Sequence, residues 1–150
     1  MKKIFKSEWN KSYDHFDNHI FYPKEEVVKF LNRFVRKKIS DNLFKDILIK
    51  EKGNITGLDY GCGIGRMTML MKEFNIDSYG LDISESAIKK ARNLFPDMKE
   101  KFKVTDGENI PFPNQDFDIV ICESVIYSMG FKIAKKVVSE FDRITKISLY

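Results

Sequence analysis

Acidic residues recur beside short apolar runs in this chain, and one of them opens a run of alternate glycines: Asp59-Tyr60-Gly61-Cys62-Gly63-Ile64-Gly65. Glycines at this spacing let the backbone turn sharply and let a ligand approach to contact distance. The helix predicted to follow, with Met67, Leu70, Met71 and Phe74 on one face, would present unpaired N–H groups at its start. Strand, glycine turn and helix together make a nucleotide-binding corner. A dinucleotide site wants Gly-x-Gly-x-x-Gly with a pyrophosphate on the helix N-terminus. Counted from Gly61, the third glycine would fall at 66, which is Arg66. The acid at Asp59 suits a ligand with an amino group better than one with a pyrophosphate.

Further acids stand where a doubly wound fold would bring them to the same corner. Asp82, at the end of Tyr79-Gly80-Leu81-Asp82-Ile83-Ser84, lies 21 positions after Gly61, where a carboxylate can accept from both hydroxyls of a ribose. Val104-Thr105-Asp106-Gly107-Glu108 precedes Ile110-Pro111-Phe112-Pro113, and Phe117-Asp118-Ile119-Val120-Ile121-Cys122 leads to Glu123. In this order and spacing the four segments resemble the motifs of class I S-adenosylmethionine-dependent methyltransferases. The nearest likeness is to the type 11 small-molecule enzymes, a group that includes methyltransferases of quinone biosynthesis. The resemblance covers roughly residues 55–146.

It implies an α/β fold, a Rossmann-like three-layer sandwich on a mostly parallel sheet, and S-adenosyl-L-methionine as cofactor with S-adenosyl-L-homocysteine as product. Asp59 would meet the cofactor's amino group, directly or through water. Gly61, Cys62, Gly63 and Gly65 would lie against its methionine part and ribose. Asp82 would take the ribose hydroxyls, and Ile83 would pack on the adenine. Asp106, with the Gly107 and Glu108 N–H groups, would meet the adenine edge, Glu108 being the alternative acid there. Glu123 would lie near the sulfonium and the acceptor. Each acid could instead be a helix cap or a solvated turn residue. No general base stands out: His15 and His19, with Tyr13, Tyr22 and Tyr127, are candidates for substrate contacts or lid packing. Cys62 and Cys122 read as small packing residues, and no metal-ligand spacing is present.

The elements that must position these residues follow from the pattern. At 150 residues one domain is expected, with residues 1–52 as a helical extension acting as lid and 53–150 as the cofactor-binding core. Phe5, Trp9, Tyr13 and Phe16 recur at helical spacing. A second helix follows Pro23, with Val27, Phe30, Leu31, Phe34 and Val35 as its stripe, and a third is predicted over 41–50, burying Leu43, Phe44, Ile47 and Leu48. The core then reads strand, helix, strand, helix, strand, strand, helix. Ser84 is the expected N-cap of a helix turning Ala87, Ile88, Ala91, Leu94 and Phe95 inward before Pro96. The final helix carries Ala134, Val137, Val138, Phe141 and Ile144. The family sheet has seven strands, and here only Ile147 to Tyr150 could begin a fifth. The last strands are therefore expected to be missing, with self-association into a homodimer as one way to cover the open edge.

Composition narrows the function class. Hydrophobic residues make up 43% and charged residues 32%, as in soluble globular proteins. No apolar run approaches a membrane span or a signal core, so no membrane partner is expected. Two cysteines favour a reducing, cytoplasmic setting. Residues 1–52 hold 13 Lys/Arg against 8 Asp/Glu, and the rest is nearly balanced. That basic surplus suits a solvated helix face or attraction for an anion, and nucleic acid is not favoured without interleaved aromatics. The expected activity is methyl transfer to a small molecule. The rivals are a cofactor-binding but catalytically incomplete module that needs a partner or dimer, an RNA methyltransferase, and a nicotinamide dehydrogenase.

Overall fold

A computed structural model describes residues 2–15, 19–48 and 54–146, the side chains of 2–5 excepted. The centre is a four-stranded parallel sheet in the order β5-β4-β3-β6. Its strands are β3 (Thr56–Tyr60), β4 (Asp77–Asp82), β5 (Phe102–Val104) and β6 (Ile119–Ile121). Helices α3 (Arg66–Glu73), α4 (Glu85–Leu94) and α5 (Phe131–Ile144) connect or follow them.

Strand alternation splits the core between two faces. Leu58 and Tyr60 of β3 pack with Leu81, Phe117, Val137 and Ile144, on the side covered by α5. On the other side Ile119 and Ile121 of β6 join Met67, Leu70, Met71 and Phe74 of the α3 region. A third cluster, Cys62, Ile88, Ala91, Met98 and Phe102, sits under α4. Helices on both faces of a parallel sheet make the expected three-layer α/β sandwich. The α3 stripe is buried as its spacing predicts. Ser84 is the N-cap of α4, its hydroxyl accepting from the Ala87 N–H at 3.1 Å. Leu94, expected inward, is exposed, as is Val138 of α5.

The N-terminal part departs from an all-helical extension. Helix α1 (Lys2–Asp14) forms as expected, with Phe16 outside the described residues. Helix α2 (Glu25–Phe30) runs into a π-helical turn, Leu31–Val35, and then into strand β1 (Arg36–Ser40). The helix expected over 41–50 is instead strand β2 (Leu43–Asp46), paired antiparallel with β1 through a turn at Asp41-Asn42. The physical reason is Arg36. Its buried guanidinium donates to Asp46 directly across the ladder and to the carbonyl oxygens of Phe74 and Asn75 at the C-terminal end of α3. Only an extended segment brings Asp46 opposite Arg36, and a buried charge without its partner costs several kcal/mol. The Arg36 guanidinium also lies over the Phe44 ring at 5.9 Å. Ile147 to Tyr150, where a fifth strand was expected to begin, lie outside the described residues. Just before them Thr145 bridges Phe117 in parallel sense, and Lys146 N–H donates to the Phe117 carbonyl at 2.8 Å.

Candidate cofactor and acceptor site

The C-terminal ends of β3, β4, β5 and β6 open into one cavity of about 590 Å³. Ten of the eleven residues singled out by motif line it: Asp59, Gly61, Cys62, Gly63, Asp82, Ile83, Asp106, Gly107, Glu108 and Glu123. Gly65 is outside the lining. It caps α3 at φ 91°, and a Cβ there would press on the Phe102 ring, so its smallness serves packing.

The two buried acids do local work that the motif does not advertise. Asp59 Oδ2 accepts from the Thr68 N–H at 2.9 Å and the Thr68 hydroxyl at 2.8 Å. Thr68 is in the first turn of α3, where N–H groups lack helical partners, so the strand caps the helix that follows it. Only Oδ2 is engaged there, which leaves Oδ1 available to a donor in the cavity. Burial pushes the Asp59 carboxyl up to about 7, against the Thr68 hydrogen bonds that lower it. Asp82 spans the turn: Oδ2 accepts from the Gly63 N–H and Oδ1 from the Ser84 N–H, both at 2.8 Å. Burial raises its pKa too. A carboxylate offers about four acceptor directions, and with the backbone N–H groups of Gly63, Ser84 and Ile83 turned to Asp82 at least one remains for a further donor.

The loop after β5 is shaped from within. Asp106 Oδ1 accepts from the Glu108 and Asn109 N–H groups at 2.8 Å each, and the Tyr60 hydroxyl donates to the Gly107 carbonyl at 2.9 Å. Tyr60 is a site residue that motif reasoning passed over, because it reads as one more apolar strand position. Glu123, at the end of β6, faces Arg66 at 3.4 Å and Lys24 at 3.6 Å. The next residue, Ser124, holds φ 61°, an uncommon conformation for a side-chain-bearing residue. Neither histidine lines the cavity: His15 is exposed, and His19 sits against the Tyr13 carbonyl and Lys90. Among the described residues no cluster of three metal-ligating side chains occurs.

The N-terminal helix supplies the remaining wall. Trp9 and Tyr13, rings 6.1 Å apart, line the cavity with Lys6. A Cβ on Gly63, which holds φ 55°, would run into the Tyr13 hydroxyl. Burial and the Asp82 charge push the Tyr13 pKa up, so the phenol stays neutral over the turn. Helix α1 is tied to α4 by Lys6–Glu85 at 2.7 Å and by Asn10, which accepts from the Ser84 hydroxyl at 2.8 Å.

The donor set fits a cationic aminoacyl sulfonium nucleoside. Five acids (Asp59, Asp82, Asp106, Glu108 and Glu123) line the cavity against three bases, Lys6, Lys24 and Arg66. An anionic pyrophosphate would meet repulsion there. The glycine turn also leaves room only where a Cβ is missing.

A family model described as "Methyltransferase domain" matches residues 58–148. The 2-methyl-6-phytyl-1,4-hydroquinone methyltransferase of Synechocystis sp. is 40% identical over 67 residues, 43% of this chain and 21% of that protein. An uncharacterised protein of Methanocaldococcus jannaschii is 30% identical over 133 residues, 84% of this chain and 55% of that one. The chain thus spans about a fifth and about half of these two relatives' lengths. Among solved structures, Haemonchus contortus phosphoethanolamine N-methyltransferase 1, in complex with phosphoethanolamine and S-adenosylhomocysteine, superposes with a TM-score of 0.71. It covers 97% of this chain and 30% of that one at 17% identity, a likeness of fold. With the glycine turn, the acid at each strand end and the sheet order in place, the matched family closes the assignment: the chain belongs to the class I S-adenosylmethionine-dependent methyltransferases.

Proposed function

We propose that this protein binds S-adenosyl-L-methionine and transfers its methyl group to a small-molecule acceptor. The observation that carries the reading is the acid-lined cavity behind the glycine turn, with Asp59 and Asp82 buried at its floor. Bound there, the cofactor supplies an activated methyl on a sulfonium. The protein's part is placement: nucleophile, methyl carbon and sulfur in line, in a site that excludes water. Asp59 Oδ1 accepts from the amino group and Asp82 from the ribose hydroxyls. Gly61 and Gly63 allow backbone contact, Ile83 packs on the base, and the Asp106–Glu108 loop meets its edge. Trp9 and Tyr13 close the site from α1. Tyr127, Met129 and Ile133, which line the same cavity, form the acceptor wall. Their apolar character supports a small organic acceptor rather than a polyanion.

Titration calorimetry and thermal shift with S-adenosylmethionine, S-adenosylhomocysteine and NAD test the reading. The first two should bind, and a ligand at 100 times its dissociation constant should stabilise by about 2.7 kcal/mol. NAD should do neither. Asp82→Ala should weaken cofactor binding by roughly 2–3 kcal/mol, and Asp82→Asn by less. A flat response to S-adenosylhomocysteine would sink the proposal.

A further inference from the structure

Part of the basic surplus of the first 52 residues lies in the β1–β2 hairpin, in Arg36, Lys37, Lys38 and Lys45. In the β1–β2 hairpin, Arg36 and Lys38 stand opposite Asp46 and Phe44. That face turns inward, with Arg36 anchored at the C-terminal end of α3. The other face is the opposite in every respect. Lys37 stands directly across from Lys45, both exposed, and neither makes an ion pair among the described residues. Like charges facing each other across a ladder destabilise it. Beside them Leu43, two residues before Lys45, is 54% exposed, and Ile39, at the bulge in β1, is 55% exposed. The turn that leads into the hairpin repeats the pattern, with Phe34 58% exposed next to Arg33. The hairpin's own acids are Asp41 at its tip, facing Lys38 at 3.9 Å, and Asp46, held by Arg36 on the inner face.

We propose that this outer hairpin face is a docking surface for an anionic lipid bilayer. Two features together select that partner. The facing lysines have no counter-charge among the described residues, and each basic residue near an anionic surface adds attraction. The large aliphatic side chains between them need an apolar phase, which a headgroup boundary supplies and a nucleic acid backbone does not. The sequence alone points to no membrane partner because it lacks an apolar run of spanning length, and among the described residues no helix is long and apolar enough to cross a bilayer. Surface docking needs no span. The hairpin lies outside the cavity lining, so the proposal stands independently of the cofactor reading.

Vesicle co-sedimentation tests it, using phosphatidylcholine vesicles with and without phosphatidylglycerol at low and high salt. The chain should partition onto the anionic vesicles at low salt only. Lys37→Glu with Lys45→Glu should cut the bound fraction by at least about tenfold, and Ile39→Ser with Leu43→Ser should cut it severalfold. Melting temperatures should barely change, because all four side chains are exposed. Four results would overturn the proposal: no binding to anionic vesicles, equal binding by the charge-reversed variant, tight binding to RNA that the serine variant leaves intact, or a concentration-dependent dimer in sedimentation that the serine variant abolishes.

Discussion

The two ends of this chain are held together by different rules. In the core, from β3 through β5, polar side chains serve the backbone. Asp59 caps α3, Asp82 holds Gly63 and Ser84, and Ser84 caps α4. In the N-terminal part, side chains reach partners far along the chain, as when Arg36 donates to the Asn75 carbonyl and Lys6 pairs with Glu85. The first kind of link joins residues at most 19 positions apart, around the strand ends and the helices that follow them. The second has no motif, and depends on what the folded core happens to present. The lesson is that a site floor can be compact in sequence while its roof is not.

Breaking the contrast at its widest means comparing one aromatic from each region. Phe102 is fully buried beneath Gly65 and Gly80, so Phe102→Ala should cost about 3–5 kcal/mol. Phe34, 58% exposed, should cost under about 0.5 kcal/mol when replaced by Ala. Urea denaturation of both variants measures the gap, and similar losses would show that the N-terminal part is as tightly packed as the core.

Next in size is the pH dependence of Asp59. Its folded pKa, raised to about 7 from 3.8, means the folded state binds the proton more tightly than the unfolded one. Stability from this group is therefore full below about pH 4 and is lost as pH rises to about 7, by roughly 3–4 kcal/mol. Asp59→Asn keeps an acceptor for Thr68 and should flatten that loss. The cationic amino group of the proposed cofactor prefers the carboxylate, so wild-type affinity should rise over pH 6 to 8 with proton release, and the Asn variant should show no such rise. Chemical denaturation and calorimetry across pH separate the two effects.

The smallest effect sharpens the comparison rather than breaking it. Ser84→Ala removes the α4 cap and the hydroxyl that donates to Asn10, for a loss of about 1 kcal/mol. Because Ser84 belongs to both kinds of link, amide exchange in α1 should quicken along with that in the first turn of α4. Faster exchange in α4 alone would mean that α1 is held by Lys6–Glu85.

Legibility followed the same divide. The glycine turn, the α3 stripe and the Ser84 cap could be read from spacing because each contact is local. The helix expected over 41–50 failed because Leu43, Phe44, Ile47 and Leu48 fit a helical period as well as a strand, and propensity yields to tertiary partners. Here the deciding partner is Arg36, whose need for Asp46 shows only once the C-terminal end of α3 is in place. Tyr60 and Thr68 were invisible for a related reason: one looks like core and the other like a helix surface residue, until the carbonyl of Gly107 and the carboxylate of Asp59 appear beside them.

The tie between Asn10 and Ser84 bears on how the molecule is made. Synthesis delivers α1 to the tunnel exit more than seventy residues before its dock, so the helix emerges with Trp9 and Tyr13 and nothing to cover. At ribosomal speeds of about 5–20 residues per second, that wait lasts several seconds, far longer than a helix needs to form and melt. A nascent chain therefore carries exposed aromatics that a holding chaperone could shield, and its ligand pocket acquires a roof only after α4 has left the ribosome.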